Sequence, residues 1–318
     1  MAVQADVRQM RAVRFHHYGP PSVLVVEDIE RPRPKEGEVL VRVRAAGVNA
    51  IDWKFRAGYL KDFMPLELPH TPGLDLAGTV DEVGVGVSDF SRGDDVFGRG
   101  AGAYAEYAIV PVTTLAHKPA SISFKHAATL PIGGVTAWAG LFEAAKLETG
   151  QRLLVQGGAG GVGSLAVQLA HWKGAHVITT TSTGNVDYVR SLGADEVIDY
   201  TTAKFEEVAR DVDVVLDTVG GEVTDRSWGV LKPGGILVVV AAMPDTEKAA
   251  THGVRTSGVQ SPELTRPVLE ELAKLVESGS LTPQVGPVFP LSDAARAHAV
   301  AETGHGHGRG RMVLQVSN

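Results

Sequence analysis

The sequence predicts an α/β protein of two domains, an irregular barrel-like β domain and a doubly wound parallel sheet. Three observations carry that prediction. The chain has 318 residues, about twice the roughly 150 residues of one domain. Its first 120 residues alternate short strand-like pieces with Gly and Pro, the texture of antiparallel β structure. From about Ala127 onward, apolar runs of four to seven residues alternate with helix-period segments, the signature of βαβ units with strands buried on both faces.

RAVRFHHYG, LVVEDI and EVLVRVRAAGVN read as the first strands. In the third, Val39, Val41, Val43 and Ala45 alternate with Leu40, Arg42 and Arg44, the period of two expected of a pleated strand. TVDEVG, DVFG and AEYAIVP follow, set apart by turn formers such as Gly73, Gly84, Gly86, Gly93 and Gly98. RLLVQ (152–156) opens the parallel sheet and leads through a glycine loop into a helix, where Val162, Leu165, Ala166 and Leu169 recur at helical spacing until Gly174 stops it. HVITTT comes next, then a helix carrying Val186, Val189 and Leu192 that ends at Gly193. EVID, a short helix over Phe205 to Arg210, DVVLDTV and ILVVVAA complete the sheet. Pro262 opens a helix with Leu264, Val268, Leu269, Leu272, Leu275 and Val276 on one side, closed by Ser278 and Gly279. The tail from Pro283 reads as helix and strand, ending in RMVLQV. Residues 1–126 with 261–318 are assigned to the β domain and 127–260 to the parallel-sheet domain.

Composition excludes several classes of function. Thirty basic residues against 37 acidic ones give a net charge of -7, without the cationic field that nucleic acid demands. Apolar stretches such as Ile236 to Met243 are far shorter than the about 18 residues of a membrane span. MAVQADVRQM has no apolar secretory core, so a cytoplasmic location is expected. The absence of cysteine removes disulfides, thiolate catalysis and cysteine-built zinc sites. His305 and His307 alternate along a glycine-flanked segment but have no identifiable third ligand, so they read as a solvated loop and no metal is expected.

The segment after RLLVQ contains Gly158-x-Gly160-x-x-Gly163, directly behind a strand and ahead of a helix. In that context the first glycine permits a tight turn, the second lets backbone approach a pyrophosphate, and the third allows close helix packing. Gly161 and Val162 complete the approach to the helix N-terminus, whose free N–H groups favour an anion. Ser164 follows Gly163 with no Lys-Ser/Thr pair, which excludes a triphosphate loop. A site favouring NAD places an acid roughly 20 residues past the first glycine to accept from the ribose 2′-OH. The corresponding window, HVITTTSTGN, holds none. Thr181, Ser182, Thr183 and Asn185 offer hydrogen bonds to a 2′-phosphate instead, so NADPH is the expected cofactor. The same residues also suit a helix cap.

The order of AAGVNAIDWKFRAG, PGLDLAGTVDEVG, GDDVFG, GAYAEY, LPIGGVTAW, GGAGGVG, SLGADEVIDY, DTVGG, LKPGG and GHGRGRMVL resembles the zinc-independent quinone oxidoreductase branch of the medium-chain dehydrogenase/reductase superfamily. The resemblance begins near Arg11 and covers nearly the whole chain. It implies a GroES-like β-barrel catalytic domain around a Rossmann domain, a homodimer, and NADPH between the domains. The implied reaction is reduction of a quinone or of the C=C bond of an α,β-unsaturated ketone or aldehyde. Zinc-containing relatives carry Cys at the place of Asn49 and Gly-His-Glu at the place of Gly73-Leu74-Asp75, so the resemblance implies a metal-free site.

Hydride addition to the β-carbon of an enone builds negative charge on the carbonyl oxygen, and a donor placed there is the main help the protein can give. Asn49 offers an amide, Lys54 a cation and Tyr59 a phenol, while Asp52 is placed to orient Lys54 or Asn49. By resemblance this segment borders the nicotinamide, and Lys54 is the first choice. The resemblance also assigns cofactor contacts to Thr136, Tyr200 and Arg311, while Val219, Ala241 and Ala242 follow strands at the carboxyl ends where open sheets bind ligands, toward the nicotinamide. A second reading, a NADPH-binding structural or regulatory protein with little turnover, shares the same glycine loop. Zinc-dependent alcohol dehydrogenation is opposed by the altered ligand positions.

Overall fold

The computed structural model describes residues 8–259, 265–303 and 308–317. Pro262, Leu264, His305 and His307 lie outside the described residues. The chain divides into two compact units, one of Met1–Ile132, Thr265–Glu277 and Val285–Asn318, the other of Gly133–Leu264 and Ser278–Gln284.

The first unit begins with β1 (Gln9–Arg14) and β2 (Val25–Glu30), which pair antiparallel as a separate ribbon. β3 (Glu38–Gly47), helix α1 (Ala50–Ala57), β4 (Asp75–Val83), β5 (Asp95–Arg99), β6 (Tyr107–Pro111), β7 (Leu115–His117) and α2 (Phe124–Ala127) follow. Helix α1 is not legible as a periodic pattern. It is set by Asn49 at its N-cap and by Gly58, left-handed at φ 84°, at its C-cap. The alternating valines of β3 point into a core with Leu76, Val96 and Val110, all fully buried.

The second unit begins within α3 (Pro131–Trp138) and contains β8 (Arg152–Gln156), α4 (Gly163–Lys173), β9 (His176–Thr181), α5 (Val186–Ser191), β10 (Glu196–Asp199) and α6 (Phe205–Val208). It continues with β11 (Val212–Asp217), α7 (Glu222–Ser227), β12 (Leu231–Val239), α8 (Thr246–Thr251) and β13 (Arg255–Gly258). Its strands form one parallel sheet in the order β10-β9-β8-β11-β12-β13. Counted from β8 this is the order 3-2-1-4-5-6 of a Rossmann sheet, which binds ligands beyond the carboxyl ends of its strands where the order reverses. Helix α4 is buried all round from Gly163 to Ala170, more than a one-faced amphipathic pattern predicts. The reason lies in Ser278–Gln284: Gln168 exchanges hydrogen bonds with the backbone of Thr282, at 2.8 and 3.1 Å.

The first unit closes with α9 (Thr265–Glu277), β14 (Val285–Pro290), α10 (Ala294–Glu302) and β15 (Arg311–Gln315). The seven-stranded sheet runs β14-β15-β3-β4-β5-β7, with β6 also paired to β3. At the end of β3, Gly47 is opposite Asp75 of β4 on one side and Val313 of β15 on the other. That register draws Asp75 and Arg311 in around Asn49.

Candidate active site

Residues expected to hold a dinucleotide gather at the carboxyl ends of the parallel strands. The glycine loop follows β8, Thr181 ends β9, Tyr200 follows β10, Val219 follows β11, and Ala241 and Ala242 follow β12. A side chain at Gly158 would sit 2.1 Å from Thr179 Oγ1, and one at Gly163 would sit 2.2 Å from the Gly157 carbonyl, so only glycine fits either place. Gly160 is exposed. Beyond the turn, the backbone N–H groups of Gly161 and Val162 have no partner among the described residues. Two unpaired donors at the N-terminus of an eleven-residue helix make an anion site of the kind that holds a pyrophosphate.

At the other end of this edge, the Ser182 hydroxyl accepts from Asn185 Nδ2 at 3.2 Å and makes no side-chain cap of the turn that follows. Thr181 is buried, its carbonyl accepting from the Tyr200 N–H at 3.0 Å. Thr183 is exposed but not free, because its hydroxyl donates to Asp199 Oδ2 at 2.6 Å. Tyr200 and Val219 are largely open to solvent, at 60 and 52 % exposure, and Thr136 is half-buried on α3. Arg311 departs from the expectation of a cofactor cation. It is buried in the first unit, where it donates to Asn49 Oδ1, because β15 runs beside β3 and turns its guanidinium inward.

In the first unit a buried polar network forms around Asn49. Its Nδ2 donates to Asp75 Oδ2 at 2.9 Å and its backbone N–H to Asp52 Oδ2 at 2.8 Å, the back-reach of an N3 acid in a capping box. Asp75 also accepts from the Ile132 N–H at 2.9 Å. The Tyr104 hydroxyl lies 3.3 Å from both Asp52 Oδ2 and His298 Nε2. Asp52 therefore orients Asn49 and does not hold Lys54, which corrects the pairing with Lys54. Residues two apart on a helix do not share a face. Lys54 is half-buried, with Nζ 5.9 Å from the Trp53 ring centroid and no anionic partner among the described residues. Tyr59 is 70 % exposed, its ring edge-on to Trp53 at 5.7 Å.

Burial pushes the Asp52 carboxyl up to about 7 and the Asp75 carboxyl up to about 6, from an ordinary 3.8, with the backbone bond from Asn49 and the charge of Arg311 opposing. Burial likewise drives His298 down to about 3, so it is a neutral ring at Tyr104. The consequence is a pH-dependent cost in stability. The native Asp52 holds its proton up to about pH 7, whereas the unfolded one loses it near 3.8. Folding is thus opposed more as pH rises through that window. Asp52→Asn keeps an acceptor and removes the titration. It is expected to stabilise the protein at pH 8 by roughly 2 kcal/mol more than at pH 5, within the limit of about 1.36 kcal/mol for each pH unit crossed. Urea unfolding at the two pH values measures this, and parallel pH dependence in variant and wild type would contradict it.

Zinc does not fit these residues. The ligand place is held by an amide already bonded to Asp75 and Arg311, and the guanidinium supplies the positive charge a metal would bring. Among the described residues no three His, Cys, Asp or Glu side chains group to hold an ion. A dinucleotide does fit the second unit, on its close-packed glycines and the two unpaired N–H groups.

Sequence reasoning passes over Tyr104 and His298, which lie far apart in the chain, and Asp199, which parallel pairing sets beside Thr181. A search for an acid along the strand itself cannot find one supplied by its neighbour.

A Rossmann sheet with its glycine loop, joined to a β unit that carries this network, defines a nucleotide-dependent dehydrogenase or reductase. Residues 35–120 match the alcohol dehydrogenase GroES-like domain and residues 192–314 the zinc-binding dehydrogenase family. The chain belongs to the quinone oxidoreductase branch of the medium-chain dehydrogenase/reductase superfamily. It is 38% identical to a 2-methylene-furan-3-one reductase of Solanum lycopersicum over 96% of this chain and 79% of that protein. It is also 38% identical to a chloroplastic NADPH-dependent alkenal/one oxidoreductase of Arabidopsis thaliana, over 95% of this chain and 79% of that one. The solved quinone oxidoreductase of Coxiella burnetii superposes with a TM-score of 0.87 at 35% identity, covering 98% of this chain and 100% of that one.

Proposed function

We propose that this protein is an NADPH-dependent reductase that moves hydride to a quinone, or to the C=C bond of an α,β-unsaturated ketone or aldehyde, without a metal. The observation that carries the reading is the pair of N–H groups at Gly161 and Val162 that have no partner among the described residues, in a chain whose relatives include an NADPH-dependent alkenal/one oxidoreductase. Bound NADPH supplies the hydride. The protein's residues bind and orient: Gly161 and Val162 take the pyrophosphate, and Ser182 and Asn185 offer donors to the 2′-phosphate. Thr136, Val219, Ala241 and Ala242 shape the nicotinamide side. Lys54 donates to the substrate carbonyl, where negative charge grows as hydride reaches the β-carbon. Asn49, fixed by Asp75 and Arg311, anchors the start of α1 that carries Lys54. The proton that completes the saturated product comes from solvent.

The family reading brings with it a homodimer and a cytoplasmic location. No helix among the described residues is long and apolar enough to cross a membrane. Steady-state oxidation of NADPH, followed with a small cyclic enone and with a benzoquinone in the presence of a chelator, tests the proposal. Turnover of at least one acceptor, unaffected by the chelator, is expected. NADPH binding without turnover of any acceptor in the panel would instead place the protein among non-catalytic binding proteins.

A further inference from the structure

The second unit holds an acid where the sequence of its second strand has none. Asp199 ends β10 and is the register mate of Thr181, the last residue of β9. Its carboxylate accepts from Thr183 Oγ1 at 2.6 Å, from Thr201 Oγ1 at 2.7 Å and from the Thr201 backbone N–H at 3.0 Å. The two threonine oxygens are themselves 2.9 Å apart. Each threonine has one hydroxyl proton, and both protons are directed into this cluster. What Thr183 and Thr201 turn outward is lone pairs, beside a negative charge. A hydroxyl can donate to that surface. A phosphate, which arrives with charge of its own and acceptors only, is repelled by it. Ser182 differs: its oxygen accepts from Asn185, which leaves its own O–H to donate.

We propose that Asp199 sets the cofactor preference of this enzyme, acting through Thr183 and Thr201 as an acceptor surface for a ribose 2′-OH and as an electrostatic brake on a 2′-phosphate. The inference rests on the nucleotide-binding reading above. The turn after β9 is thus a site of mixed character, with a donor at Ser182 and acceptors at Thr183, Thr201 and Asp199, so the wild type accepts NADH as well as NADPH. The hydrogen bonds from Thr183 and Thr201 hold the Asp199 carboxyl below its ordinary range, which keeps the brake engaged throughout the neutral range.

Asp199→Asn removes the charge and adds an amide donor at the same atoms. Dissociation constants of NADPH and NADH, measured by fluorescence titration for wild type and variant, test the proposal without reference to turnover. The variant is expected to bind NADPH about three- to tenfold more tightly, and NADH no more tightly than the wild type does, a change of the size one surface charge produces. The gain on NADPH should shrink at high salt, where exposed charges are screened. A purely structural role would weaken both cofactors alike, and that result, or an unchanged ratio, overturns the inference. Asp199→Glu, which keeps the charge, should leave the ratio near that of the wild type. If the wild type binds neither cofactor, the nucleotide-binding reading itself is what fails.

Discussion

Gly160→Asp is expected to abolish NADPH binding while leaving the protein folded. The three glycines of the loop do different work. Adding a side chain at Gly158 or Gly163 drives it to 2.1 or 2.2 Å from neighbouring atoms, so variants there disturb packing and report on folding. At Gly160 the first atom of a side chain meets only the Gly157 carbonyl, at 3.3 Å, and the position is exposed. A carboxylate at that point faces the bound pyrophosphate across the anion site and reverses its electrostatics. Calorimetric titration should show NADPH affinity falling by at least about a hundredfold, or about 2.7 kcal/mol. A melting temperature within a few degrees of the wild type would show that the loss is local. Retained micromolar affinity in a folded variant would contradict the placement of the pyrophosphate.

Lys54→Met is expected to lower kcat on an enone by on the order of a hundredfold, the about 2.7–4 kcal/mol that one oxyanion donor contributes. NADPH affinity should stay within a few-fold. The buried groups around Asn49 are committed to each other, since Asp52 and Asp75 both accept from Asn49 and Arg311 donates to its side-chain oxygen. Lys54 has no such commitment. An interaction that strengthens as charge develops lowers kcat more than it raises KM when it is removed. Steady-state kinetics of the variant with a cyclic enone and with a quinone decide the matter. An unchanged kcat on both would make Lys54 a surface residue and pass the role to Tyr59, which stands exposed beside Trp53.

The parallel sheet is legible in the sequence because its strands are short apolar runs bounded by glycines, and because Gly174 and Gly193 both adopt the left-handed conformation near the helix ends where the pattern places them. The glycine loop is legible from spacing alone. Helix α1 is not, because its start is fixed by hydrogen bonds to Asp52 and its end by Gly58, with little apolar periodicity between. Arg311 is assigned to the cofactor by resemblance, and nothing in the sequence around it says which way its guanidinium turns. It turns inward because β15 pairs with β3, which brings it to Asn49, 262 positions away in the chain. Asp199 escapes notice for a related reason, since its effect on Thr183 passes between strands and not along one.

With an enone as acceptor, hydride is expected to reach the β-carbon and not the carbonyl carbon. Turnover of a cyclic enone with NADPH deuterated on the transferring face of the nicotinamide, with the product examined by NMR, tests this most directly. The expected product is a saturated ketone carrying a single deuteron at the β-carbon, with the carbonyl intact. Deuterium on a carbinol carbon, the outcome of alcohol dehydrogenase chemistry, would contradict it.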